Sequence, residues 1–177
     1  MSAGFNLDDA IRKVPDFPKP GILFYDITSV LTKPDAFRYC VDSMVRLYKG
    51  AKIDAVAAIE SRGFLFAAPL ADRLGIPLIL VRKKGKLPGQ TLRRSYSLEY
   101  GTAEIEIHKA DIPEGGRVLL VDDLVATGGT LRAAADILIE GGAMPVGVFS
   151  VIGLPFLHYD TTLAGLEVRT LIEYFGE

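Results

Sequence analysis

The sequence predicts an α/β fold, a parallel sheet carrying helices on both faces. Three observations support it. Short, nearly continuous apolar runs recur at Ala55 to Ile59, Ile76 to Val81, Val118 to Val121 and Val146 to Ile152, as in strands buried on both sides. Other segments repeat apolar residues at i, i+3, i+4 spacing, the pattern of an amphipathic helix. The two kinds alternate, and strand–helix–strand connections build parallel sheets.

Taken in order, residues 1–20 are punctuated by Pro15, Pro18 and Pro20 and read as a short helix followed by an extended arm. Ala36 to Tyr48 is helical through Phe37, Cys40, Val41, Met44 and Leu47, stopping at Gly50. Ala55 to Ile59 is a strand, and Phe64 to Leu74 a helix closed by Gly75. Ile76 to Val81 is a strand interrupted only by Pro77. Ser97 to Tyr100 and Glu104 to His108 read as exposed strands of a hairpin around Gly101, since Ile105 and Ile107 alternate with polar residues. Val118 to Val121 and Val146 to Ile152 bracket a helix through Leu131, Ala134, Ala135 and Leu138, stopped by Gly141 and Gly142. Val168 to Ile172 forms a last strand.

Val118 to Thr130, VLLVDDLVATGGT, carries the chemistry. Asp122 and Asp123 follow an apolar strand, at the carboxyl end where open α/β sheets place ligands. A carboxylate pair accepts short, charge-assisted hydrogen bonds from a vicinal diol. Ala126, Thr127, Gly128, Gly129 and Thr130 then lead into a helix. Glycines let main-chain amides approach an anion, the threonines add hydroxyl donors, and a helix N-terminus favours phosphate. One segment can therefore hold a ribose diol and its 5′-phosphate. The same residue types also suit an ordinary helix cap. Neither G-x-x-x-x-G-K-[ST] nor G-x-G-x-x-G occurs.

Ala58-Ile59-Glu60-Ser61-Arg62-Gly63 is a second strand-to-helix junction. Ser61, Arg62 and the amides of the new helix suit a second phosphate group, and equally a capped helix with a surface arginine. Arg82 to Arg94, RKKGKLPGQTLRR, holds six basic residues and no acid. Gly85, Pro88 and Gly89 within it suggest a mobile arm; a basic run is also an ordinary solvated face. His108 and His158 have no metal-ligand spacing, and Cys40 lies on an apolar helix face.

The Val118 to Thr130 segment resembles the phosphoribosyl-diphosphate (PRPP) motif of the type I phosphoribosyltransferases. With ESRGF, the basic arm and the stretch Phe17 to Thr28, the chain is similar to the adenine-using members over about Phe17 to Leu154. The resemblance implies a central mostly parallel sheet flanked by helices, in a single domain over residues 1–177. It also implies a small N-terminal hood over about 1–33 and a flexible catalytic loop over about 82–104. The implied reaction transfers the 5-phosphoribosyl group from PRPP to adenine, giving AMP and diphosphate, with Mg²⁺ as cofactor in a homodimer. Another base (hypoxanthine, guanine, xanthine or orotate), or a PRPP-sensing regulator without catalysis, remains an alternative.

By the same resemblance, Asp122, Asp123 and Ala126 to Thr130 hold the sugar phosphate. Ser61, Arg62, Arg82, Lys83 and Lys86 reach the diphosphate. Leu23, Phe24, Arg62 and Leu154 face adenine, and Glu99 and Arg62 are catalytic, Glu99 handling the proton near the purine. Read from the residues alone, Phe24 among Ile22 and Leu23 also suits a core position, and Glu99 an edge-strand acid paired with a lysine. No protein ligand to the metal is implied. Tyr25, where many relatives have Arg, and the stretch after Gly153 depart from the family's pattern. Arg93 and Arg94 receive no role.

A chain of 177 residues is one domain by length, with 49% hydrophobic and 24% charged residues. The net charge of −2 gives no overall pull toward nucleic acid or acidic membranes. The lone Cys40 cannot form an internal disulfide, which points to a reducing compartment. The acids Asp8 and Asp9 and the lack of a long apolar run argue against a signal peptide or a membrane span. The expected location is the cytoplasm.

Overall fold

A computed structural model describes residues 5–97 and 101–176. A seven-stranded sheet runs through the molecule, and a two-stranded ribbon stands apart from it. The ribbon pairs β1 (Arg12–Pro15) with β2 (Leu23–Asp26), antiparallel. The predicted N-terminal helix is only a 3₁₀ turn at Asp8–Ala10, and the extended arm after it is half of this ribbon. Then come α1 (Thr28–Leu31), α2 (Pro34–Tyr48), β3 (Ala55–Ile59), α3 (Gly63–Leu74) and β4 (Leu78–Lys83). Gly75 closes α3 in the left-handed conformation, φ 67°, which glycine adopts without steric cost.

After β4 the chain departs from expectation. Thr91–Ser97 is a strand, β5, antiparallel to β6 (Thr102–His108), and β6 is antiparallel to β4. The basic arm is thus half turn and half sheet. The hairpin's first strand begins at Thr91 and includes Ser97, and Leu98 to Tyr100 lie outside the described residues. Nor is β6 exposed, because Ile105, Glu106 and Ile107 are all buried. The chain finishes with β7 (Arg117–Val125), α4 (Gly129–Glu140), β8 (Met144–Gly153), α5 (Tyr159–Thr162) and β9 (Val168–Glu173). The strand predicted over Val118 to Val121 therefore runs on, carrying both acids inside it.

The sheet order is β5-β6-β4-β3-β7-β8-β9, with β4, β3, β7, β8 and β9 mutually parallel. Successive residues of β7 feed opposite cores, as a period of two requires. Leu119 and Val121 pack with Met44 of α2 and Phe66 and Leu70 of α3. Val118 and Leu120 pack with Leu131, Ala135 and Leu138 of α4. From β3 the chain crosses to β4 on one side, while β7 and β8 extend the other. The order reverses between β3 and β7, and ligand crevices open outside the carboxyl ends of strands at such a point.

Candidate active site

The register that pairs Ala58 with Val121 brings two strand ends together. Glu60, Ser61 and Arg62 leave β3 beside Asp122 and Asp123 of β7. Asp123 is 3% exposed, and its Oδ2 accepts a hydrogen bond from Arg62 Nε at 2.6 Å. Asp122 is half-buried, and its Oδ1 accepts the Asp123 amide at 2.8 Å. Loss of hydration and the adjacent Asp123 carboxylate push the Asp122 carboxyl well above the ordinary carboxylate range. Gly63 makes the approach possible. A Cβ there would fall 3.0 Å from Asp122 Oδ1 and 3.0 Å from the Val121 carbonyl oxygen.

A cavity of about 160 Å³ opens at this junction, lined by Ser61, Arg62, Lys83, Asp122, Asp123 and Thr130 among others. Tyr96 and Thr130 also line a larger cavity of about 560 Å³ with Thr127 and Gly129, so the two adjoin. Gly128 turns the chain into α4 at φ +80°, and a Cβ there would sit 2.9 Å from Leu163 Cγ. Conformation and space both demand glycine. The 12-residue α4 directs its unpaired first-turn N–H groups to this place. Ala126, half-buried before the turn, packs on the core beneath.

A third cavity, about 520 Å³, lies under the ribbon and includes Phe17, Phe24, Tyr25, Asp26, Arg62 and Leu124. Phe17 meets Phe24 edge-on at 5.0 Å between ring centroids. Arg62 and Leu124 line this cavity and the acid-pair cavity alike. Leu23 instead packs against the core, and Leu154, 9% exposed, belongs to it. The Leu154 amide donates to the Val125 carbonyl at 3.0 Å.

The basic residues separate. Lys83 lines the acid-pair cavity. The Arg82 guanidinium lies on Glu60, with Nε and Nη2 each 3.2 Å from a carboxylate oxygen, and Nη1 reaches the Lys86 carbonyl at 3.2 Å. Lys86 is exposed and outside the lining of all three cavities. Glu99 lies outside the described residues. Ser61 is exposed at the cavity edge.

Two acids that sequence reasoning passed over organise this region. Glu106 is 0% exposed. Its carboxylate accepts the amides of Lys86 and Leu87, each at 2.9 Å, Arg93 Nε at 3.0 Å and the Thr91 hydroxyl at 3.3 Å. Burial pushes its carboxyl up, but the Leu87 and Lys86 amides and the Arg93 charge hold it, on balance, below the ordinary range. Arg93 is thereby structural. Arg94 reaches Glu140 at 3.0 Å. Glu60, through Arg82 and the Lys83 amide at 2.9 Å, fixes the base of the arm. A signal existed for Glu60, since opposite charges follow Ile59 and Val81 on neighbouring strands. None existed for Glu106, whose place in an alternating run marks an exposed residue.

A sequence profile of the phosphoribosyl transferase domain matches residues 28–155. Adenine phosphoribosyltransferase of Treponema denticola is 63% identical over 171 residues, covering 97% of this chain and 90% of its own length. That of Thermobifida fusca is 48% identical, covering 93% and 94%. Among solved structures, adenine phosphoribosyltransferase from Thermoanaerobacter pseudethanolicus superposes with a TM-score of 0.91 at 46% identity, covering 96% of this chain and 100% of that one. The Saccharomyces cerevisiae enzyme, complexed with an imino-altritol bisphosphate and adenine, gives 0.88 at 38% identity, covering 94% and 96%.

Proposed function

The chain belongs to the phosphoribosyl transferase family, and we propose that it transfers the 5-phosphoribosyl group from PRPP to adenine, forming AMP and diphosphate. The observation that carries this reading is the sharing of Arg62 between two cavities. One is walled by aromatic rings, and the other holds the acid pair and opens onto the turn before α4. A base and a sugar phosphate joined at one carbon need such neighbouring compartments.

In this reading the ribose hydroxyls donate to Asp122 and Asp123. The 5′-phosphate rests on Ala126, Thr127, Gly128, Gly129 and Thr130, whose amides and hydroxyls donate to it. Ser61, Arg62 and Lys83 take the diphosphate. Arg82 and Lys86 join them as the segment of about 82–104 closes and excludes water that would hydrolyse the sugar diphosphate. The purine lies on Phe24, with Arg62 at its edge and Leu23 and Leu154 shaping the wall behind. Glu99 handles the purine proton. Positioning of the attacking nitrogen in line with departing diphosphate, in a preorganised charged site, supplies most of the acceleration.

The donors present suit a divalent cation carried by the substrate. Asp122 and Asp123 offer oxygens, but Arg62 occupies Asp123, and no group of three His, Cys, Asp or Glu side chains gathers among the described residues. Mg²⁺ keeps several waters and binds through few carboxylates plus substrate phosphates, and when bound it neutralises charge on the leaving diphosphate. We further propose a cytoplasmic homodimer. Among the described residues no helix is long and apolar enough to cross a membrane.

The test is AMP formation from PRPP, Mg²⁺ and adenine, with hypoxanthine, guanine, xanthine and orotate as competitors. Turnover of adenine in preference to the others is expected. Preference for another base, or no turnover, overturns the assignment.

A further inference from the structure

The ribbon that roofs the aromatic cavity consists of two strands of four residues each, and an isolated two-stranded ribbon is marginal in water. Its base is anchored: the Ser29 hydroxyl donates to the Ala10 carbonyl at 2.7 Å and accepts the Arg12 amide at 2.8 Å. The strand that lines the cavity has a different support, from the far end of the chain.

Tyr25 follows Phe24 in β2, is 6% exposed and also lines the cavity. The ring of Tyr174 stacks on it with centroids 3.7 Å apart and planes inclined by 13°. The Tyr174 hydroxyl donates to Asp8 Oδ1 at 2.6 Å, just before the ribbon. Asp8 Oδ2 pairs with Lys13 Nζ at 2.5 Å, and that ammonium lies 5.6 Å from the Tyr174 centroid. Lys13 is in turn the register partner of Tyr25. Behind the ring, the Tyr174 amide donates to the Gly153 carbonyl at 3.0 Å, tying it to the end of β8. Tyr174 therefore touches both strands of the ribbon while fixed to the main sheet, and it stands outside the cavity lining.

We propose that Tyr174 is a positioning residue for the base: its ring, through Tyr25, sets the height of the ribbon over the aromatic cavity and so governs adenine binding. The proposal rests on the functional reading above. Stacking of this kind adds a modest, geometry-dependent attraction. Its loss lets β2 move relative to Arg62, while the acid pair and the turn before α4, on other elements, keep their places.

The experiment compares steady-state constants of the full chain and its variants for both substrates. Tyr174→Ala is expected to raise KM for adenine about five- to tenfold and leave KM for PRPP within about twofold. Tyr174→Phe, which keeps the ring, should retain adenine affinity within about threefold. If the alanine variant is not recovered folded, Tyr174→Leu keeps bulk, loses the ring and should show the same split. An unchanged adenine KM, a parallel rise in both constants, or a phenylalanine variant as impaired as the alanine one would overturn the proposal while wild-type turnover stands. A wild type that makes no AMP would overturn the functional reading and this inference together.

Discussion

Arg62 Nε and Asp123 Oδ2 lie 2.6 Å apart, and this ion pair stands at the boundary between the aromatic cavity and the acid-pair cavity. The partners are unequal, with side-chain exposures of 49% for the arginine and 5% for the aspartate. Removing the arginine strands a buried carboxylate, whereas removing the carboxylate frees an arginine that water can solvate. Truncating one member of such a pair costs roughly 2–5 kcal/mol, with the lower end fitting loss of the carboxylate, whose arginine partner water can solvate. Arg62→Ala should lower kcat/KM by about a hundredfold. Asp123→Asn should cut turnover by roughly an order of magnitude or more with an unchanged circular dichroism spectrum. Both act on one contact, so the double variant should lose less than the product of the two. Strict multiplicativity in a steady-state cycle would show that the pair does not act as a unit.

The acid pair predicts a pH dependence of stability. The folded Asp122 carboxyl titrates above its unfolded value, because of its burial and the neighbouring Asp123 charge. Between those two values the native state keeps a proton that the unfolded chain has lost. The stabilisation is therefore complete below the ordinary carboxylate range and is lost as pH rises through the raised folded value. Asp122→Asn should remove that loss. Thermal melts across this window should show the variant gaining on the wild type as pH increases, whereas a constant difference would contradict the shift.

Lys83 and Lys86 separate two roles within the basic segment. Lys83 already lines the acid-pair cavity, while Lys86 meets the sheet through its amide on Glu106. Lys83→Ala should weaken diphosphate-dependent steps about tenfold or more, read as the rate of AMP pyrophosphorolysis. Lys86→Ala should have the smaller effect. The reverse ranking would mean that closure of the segment, rather than the present geometry, decides which lysine meets the leaving group.

Gly63 holds α3 against β7 at the acid pair. A methyl group would meet the Val121 carbonyl oxygen and the Asp122 carboxylate at 3.0 Å, so these neighbours must give by a few tenths of an ångström. Gly63→Ala should destabilise the fold by about 1–3 kcal/mol and lower activity by at least about tenfold. Wild-type activity in this variant would show that the approach is not needed.

What the sequence disclosed follows from the range of each interaction. Ala55 to Ile59 and Phe64 to Leu74 are legible because period and punctuation lie within the segment, as does the turn from Asp122 to Thr130. The strand Thr91–Ser97 is not. Its two arginines make it read as a loop, and the groups that accept them, Glu106 and Glu140, stand 13 and 46 residues away. Likewise the acids of β7 read as a strand's end, yet pairing with β8 carries the strand on to Val125. Phe24 was legible only through its resemblance to a known hood, since a phenylalanine beside Ile22 and Leu23 otherwise reads as core. Nothing near Tyr25 announces Tyr174, because stacking across the whole chain leaves no periodic trace.

The most direct measurement is a crystal structure with AMP bound. The account predicts ribose hydroxyls within hydrogen-bonding reach of Asp122 and Asp123, the 5′-phosphate on the amides of Ala126 to Thr130, and the purine against Phe24 with Arg62 between the two halves. A nucleotide bound elsewhere, or turned so that the acids face phosphate, would contradict it.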